Sequence, residues 1–163
     1  MLYLLVDRII SDVDSLIKNT TVDEFIITGF AGLLTVNAVA AFEDRVKKCL
    51  YDFSNKIDPV FGNYFKSRYD KINAKVKTSD LIDNYLKHFG NEYKERFNTK
   101  LKIITKEAIN SADPVEQYNN FIQKRHDFVH KIKLDLEYAE AKKQYYSGKK
   151  IIEAFESSLM DTK

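Results

Sequence analysis

Apolar residues return every three or four positions through nearly the whole chain, the spacing that gathers them on one side of a helix. The first such stretch runs from about Leu2 to Lys18, with Leu5, Ile9, Val13 and Leu16 sharing a side. Thr20-Thr21-Val22-Asp23-Glu24 supplies the polar start of a long second helix that reaches about Asn55. A third is predicted from Pro59 to about Val76, with Phe61, Tyr64, Phe65 and Tyr69 as its aromatic stripe. Thr78-Ser79-Asp80 opens a shorter helix that stops near Gly90, a residue suited to a helix C-terminus. Residues 91–112 keep a weaker pattern and predict short helices joined by loops. Asp113-Pro114-Val115-Glu116 combines an N-cap, a first-turn proline and a capping-box acid, which starts a helix running from Pro114 to about Lys133. The last helical stretch covers about Leu136 to Met160, with a weak point at Ser147-Gly148. Alternation of period two is confined to Lys100-Leu101-Lys102-Ile103, whose helical context argues against a strand. No repeat, low-complexity segment or long linker interrupts the chain. The pattern predicts an all-α bundle forming one domain over residues 1–163, with a long central hydrophobic helix.

Composition agrees with that reading. The chain is 44% hydrophobic with only 5 Gly and 2 Pro, which favours long helices over a turn-rich β fold. Asp58-Pro59 marks a break and restart like that at Asp113-Pro114. The single Cys49 excludes an intramolecular disulfide and a multi-cysteine zinc site, and suits a reducing, cytoplasmic setting. Beside Val46, Leu50 and Phe53 it reads as a buried thiol.

Phe25 to Phe42 contains no charged residue, and its length sits at the lower limit for a bilayer span of about 17–25 residues. Thr28, Thr35 and Asn37 interrupt it, and acidic residues flank both ends, so it is expected as a bundle helix buried nearly all round, with no membrane involved. The Leu2–Val6 run is followed at once by Asp7-Arg8, without the features of a signal peptide. Net charge is only +2, but it is unevenly placed. Residues 1–44 carry two basic and seven acidic side chains; residues 66–106 carry eleven basic and five acidic. Within the basic part, Lys94, Arg96, Lys100, Lys102 and Lys106 interleave with Tyr93 and Phe97. That mixture suits phosphate contact and base stacking, and suits equally a solvated helical face.

The chemistry concentrates in Gln123-Lys124-Arg125-His126-Asp127-Phe128-Val129-His130. Around it the apolar positions are Tyr118, Phe121, Ile122, Phe128, Val129 and Ile132, and Arg125 projects from the middle of that stripe. A guanidinium keeps its charge, and leaving it unpaired in an apolar seam costs several kcal/mol, so its partner must be a protein carboxylate or a ligand anion. His126 and His130 are four apart and share one side of the helix. Arg125 and His130 lie about 140° apart around the axis. Acting on one small group therefore requires long reaches, or a second copy of the helix, which points to a homodimer.

Arg125, the polar His126, three residues and His130 match the R-[N/D/H]-x-x-x-H motif, and the chain resembles HEPN domains, small all-helical domains many of which are RNases. The resemblance extends to Ala41-Phe42-Glu43 as the aromatic-Glu element on the second helix, to His88-Phe89-Gly90-Asn91 with Phe97 beyond, and to Leu136-Glu137-Tyr138-Ala139-Glu140 and Ile151-Ile152-Glu153-Ala154-Phe155 as the closing helices. It is nearest the RiboL-PSP and related stand-alone HEPN branch and covers about Thr21 to Leu159. Many relatives carry Ala before the last His and Gly after it, where this chain has Val129 and Lys131. The resemblance implies a HEPN-like helical bundle with a late motif helix, and metal-independent cleavage of RNA to a 2′,3′-cyclic phosphate. It assigns proton transfer to His130 and phosphate stabilisation to Arg125, with His126 orienting His130 or contacting the phosphate. It further implies a toxin–antitoxin or phage-defence setting, an antitoxin or other regulatory protein as partner, and no cofactor.

These residue types fit that reaction. RNA carries its own nucleophile in the ribose 2′-OH, so one group to move a proton and one to hold negative charge suffice. Imidazole titrates near neutrality, and guanidinium offers a planar fork for two phosphate oxygens. Glu43 is a partner for Arg125, a partner for a motif residue of a second chain, or a surface acid where the second helix turns polar. Asp127 supports the motif from the other side of its helix. Two histidines at i, i+4 also suit zinc, but a third ligand is missing: His88 is the remaining histidine and no His-Glu-x-x-His occurs. Tyr145 and Tyr146 either shape the cleft or simply pack. A reading of another class is a non-catalytic HEPN-like module that binds a protein or a nucleotide, with Arg125 paired structurally.

Overall fold

The longest apolar run makes the longest helix, and the rest of the chain is arranged around it. The computed structural model describes residues 2–69, 75–108, 112–131 and 135–161. Its helices are α1 (Leu2–Asn19), α2 (Glu24–Ile57), α3 (Pro59–Tyr69), α4, α5 (Asn91–Glu107), α6 (Pro114–Lys131) and α7 (Tyr138–Met160). Helix α4 is composite: Thr78–Asp80 passes through a π-helical turn, Leu81–Leu86, into Lys87–Phe89. No strand occurs among the described residues. The all-α bundle expected from the pattern is what forms.

Side chains set the helix boundaries. Asp23 accepts from the Phe25 N–H at 2.8 Å and starts α2. Asp58 accepts from the Val60 N–H at 2.7 Å and restarts the chain as α3, and Asp113 accepts from the Val115 N–H at 2.9 Å at the head of α6. Gly90, at φ +131°, separates α4 from α5 in a conformation that other residues rarely adopt.

Helix α2 packs against α1, α3, α6 and α7. Ala31, Leu34, Ala38, Val39, Ala41, Phe42, Val46, Leu50 and Phe53 are buried along it. Its buried hydroxyls bond back to the helix itself, Thr35 to the Ala31 carbonyl at 2.6 Å and Ser54 to that of Leu50 at 2.8 Å. Cys49 is buried as expected, and burial pushes its thiol up to about 12, an inert state. At the centre Phe42 stacks on Tyr145 and meets Tyr3, Tyr118 and Phe121 edge-on. Its ring also lies against Gly148, where a Cβ would come within 2.5 Å of it. Gly148 is therefore no weak point; α7 runs through it unbroken, and the missing side chain is the room that Phe42 fills.

Other expectations are corrected. Residues 91–107 form one helix instead of short pieces, because Phe97 is fully buried and Arg96 and Lys100 tie its outer side to Asp161. The third helix does not reach Val76, which is buried in an extended segment whose carbonyl accepts from the Tyr118 hydroxyl. Residues 70–74 of that expectation, and 109–111 and 132–134 of the later ones, lie outside the described residues. Helix α1 buries Val6, Ile10 and Val13, while Leu5 and Leu16 of the expected stripe face out. Two neighbouring sides of α1 are apolar, and the one that also carries Tyr3 docks. Finally, α2 is not buried all round. By composition it is long and apolar enough to cross a membrane, yet it packs at the centre of the bundle. In its N-terminal half Phe25, Ile26 and Leu33 are exposed.

Candidate active site

Helix α6 enters the core with its first half and leaves it with its second. Tyr118, Phe121 and Ile122 are buried, Phe128 is half-buried, and Val129 is 44% exposed. The apolar stripe thus fades where the motif begins, and Ile132 lies outside the described residues. Two contacts fix the helix. Phe42, from the aromatic-Glu element, packs on Tyr118 and Phe121 at centroid distances of 5.7 and 6.4 Å. Phe128 seats its ring on Gly32 of α2, so closely that a Cβ there would fall 2.5 Å from its Cζ.

This leaves the motif side chains at the edge of the core. His126 and His130 are both exposed, with ring centroids 4.6 Å apart. Arg125 is half-buried, and its buried Nε has no hydrogen-bond partner among the described residues. Among the described residues no carboxylate forms an ion pair with Arg125. Glu43 is half-buried on α2 one position beyond Phe42. An unmade hydrogen bond on a buried donor costs about 1–3 kcal/mol, so the guanidinium sits where an added acceptor is stabilising.

Asp127 points away from Arg125, about 160° round the helix. It accepts from Lys131 at 2.7 Å and from Gln123 at 3.3 Å, and the Lys131 ammonium, followed by Gln123, holds its carboxyl below the ordinary carboxylate range. The side of α6 that carries the histidines is bordered by the segment entering α4. There Tyr118 donates to the Val76 carbonyl, Asn119 exchanges hydrogen bonds with Thr78 at 2.9–3.2 Å, and Lys77 Nζ donates to Gln123 Oε1 at 2.9 Å. Sequence reasoning missed Lys77, Asn119 and Gln123. The available signal was the recurrence of polar Asn119, Gln123 and His126 at helical spacing, a polar strip leading up to the motif.

The basic segment falls on α5. Arg96 pairs with Glu92, donates to the Asp161 carbonyl at 2.8 Å and stacks over Tyr93. Lys100 pairs with Asp161 at 3.1 Å. Tyr93 packs edge-on against Phe53 and Phe89. These three fasten α5 to the bundle, while Lys102 is exposed and Lys94 half-buried. Tyr145 is buried and donates to Asp7 at 2.8 Å, a packing role, whereas Tyr146 is exposed. Among the described residues no three His, Cys, Asp or Glu side chains converge as metal ligands.

The RiboL-PSP-HEPN family model matches residues 5–161 of the chain. No curated protein and no solved structure matches it.

Proposed function

From a chain that belongs to the RiboL-PSP-HEPN family, whose fold is a HEPN-type module often found as an RNase, we propose a metal-independent endoribonuclease acting through Arg125 and His130. The observation that carries the reading is the half-buried Arg125, which has no carboxylate partner among the described residues and lies one position from an exposed histidine pair. Of the two partners a seam guanidinium can take, this favours a ligand anion, and the chemistry beside it is that of proton transfer.

In the proposed reaction a His130 ring nitrogen takes the proton of a ribose 2′-OH. The 2′-oxygen bonds to the adjacent phosphorus, and the P–O5′ bond breaks with its electron pair going to the 5′-oxygen, which is protonated. The products are a 2′,3′-cyclic phosphate and a 5′-OH. Arg125 hydrogen-bonds the phosphate oxygens as negative charge grows on them, and His126, in contact with the His130 ring, orients it. A homodimer pairing the motif helices serves this chemistry, because a second His130 supplies the acid for the leaving oxygen. The apolar exposure of Val129, Leu33, Ile26 and Phe25 suits that pairing. A cytoplasmic setting, restraint by an antitoxin or other regulatory protein, and a toxin–antitoxin or phage-defence role belong to the same reading.

The test is an oligoribonucleotide with one 2′-deoxy sugar at a mapped cleavage position. Cleavage there is expected to stop while neighbouring ribose positions are still cut. Continued cleavage at the deoxy position would contradict attack by the 2′-OH.

A further inference from the structure

We propose that Lys77 binds a phosphate of the RNA strand neighbouring the scissile one, extending the site along the His126/His130 side of α6. This rests on the ribonuclease reading and adds to it a substrate contact from outside the motif. The segment carrying Lys77 is held against α6 chiefly by bonds other than that of its ammonium. The Val76 carbonyl accepts from Tyr118, the Thr78 backbone N–H and hydroxyl are bonded to Asn119, and the Lys77 backbone N–H donates to Asp80 at 3.2 Å. Its ammonium has three donors, of which one goes to the neutral amide of Gln123 at 2.9 Å. No carboxylate pairs with it among the described residues.

The acids nearest along this network are already engaged. Asp127 is bonded to Lys131 and Gln123, and Asp80 accepts from the Lys77 backbone and from Asn84. Lys75, two residues earlier, is exposed and has its carbonyl held by the Tyr85 hydroxyl. A positive charge that no carboxylate neutralises among the described residues is thus held on a hydrogen-bonded segment, with two of its three donors left over. Gln123, its anchor, shares the histidine side of α6 and lies seven residues before His130, about 10 Å along the axis. A strand whose scissile phosphate sits at Arg125 and His130 passes Lys77 as it runs along this side. Of the basic residues of α5, Arg96 and Lys100 are committed to Glu92 and Asp161.

The experiment uses fluorescence anisotropy with a labelled, unstructured single-stranded RNA and the His130→Ala protein, over a range of potassium chloride concentrations. Each phosphate neutralised on a single strand contributes about −0.7 to the slope of log K against log salt. Adding Lys77→Gln, which keeps an amide donor for Gln123, is expected to weaken binding several-fold at low salt and to flatten the slope by about 0.7. Lys77→Arg is expected to restore both. A slope and affinity unchanged by Lys77→Gln, or lost equally in Lys77→Arg, would overturn the assignment of Lys77 and leave the nuclease reading standing. Failure of the His130→Ala protein to bind RNA at any salt would overturn the nuclease reading and this inference with it.

Discussion

His130→Ala is expected to reduce RNA cleavage by about 100- to 10,000-fold, the range for loss of a positioned proton-transfer group. The fold should survive, because His130 is exposed and its structural contact is with the His126 ring, itself exposed. Arg125→Ala is expected to cost about 100- to 1,000-fold, as loss of a charge-stabilising donor does. It should not destabilise the protein, since removing it also removes a buried Nε that has no partner among the described residues. Arg125→Lys should recover little, because an ammonium lacks the planar fork that matches two phosphate oxygens. Cleavage assays beside thermal melts separate the two effects. Activity lost in step with melting temperature would show Arg125 to be a structural residue, and the interaction-module reading would then gain.

Phe42→Ala is expected to destabilise the domain by about 3–5 kcal/mol, as removal of a fully buried ring does. The ring touches Tyr3, Tyr118, Phe121 and Tyr145 and fills the space above Gly148, so its removal opens a cavity among residues drawn from α1, α6 and α7. Natural domains are stable by about 5–15 kcal/mol, so a loss of this size brings the variant close to unfolding. The midpoint of urea unfolding should fall accordingly. Activity should fall with it, since Phe42 packs on the buried half of the helix that carries Arg125 and His130. A loss below about 1 kcal/mol would mean that these helices do not converge on Phe42 as described.

The fold was legible where local signals are strong. The Asp23, Asp58 and Asp113 caps each start a helix at the expected place, and the uncharged run from Phe25 became the central helix. It was illegible where tertiary contacts override local propensity. Gly148 reads locally as a helix breaker, yet α7 continues through it because a ring occupies the missing side chain's place. Residues 91–107 read as broken because their surface is so polar, but burial of Phe97 and the ties to Asp161 hold one helix. Helix α1 offers two apolar sides, and periodicity alone does not choose between them. The motif histidines were legible by type and spacing, and their mutual contact follows from an i, i+4 relation. The neighbours of the site were not. Lys77 is 46 residues from Gln123, and no local pattern links them.

RNA cleavage by Arg125 and His130 without a metal is the proposed reaction. Its most direct test is incubation of purified protein with single-stranded RNA in excess EDTA, wild type beside His130→Ala and Arg125→Ala, with analysis of the product ends. The predicted result is cleavage by wild type leaving 2′,3′-cyclic phosphate ends, and loss of that cleavage in both variants. Cleavage that requires an added divalent metal, or that persists undiminished in either variant, would contradict it.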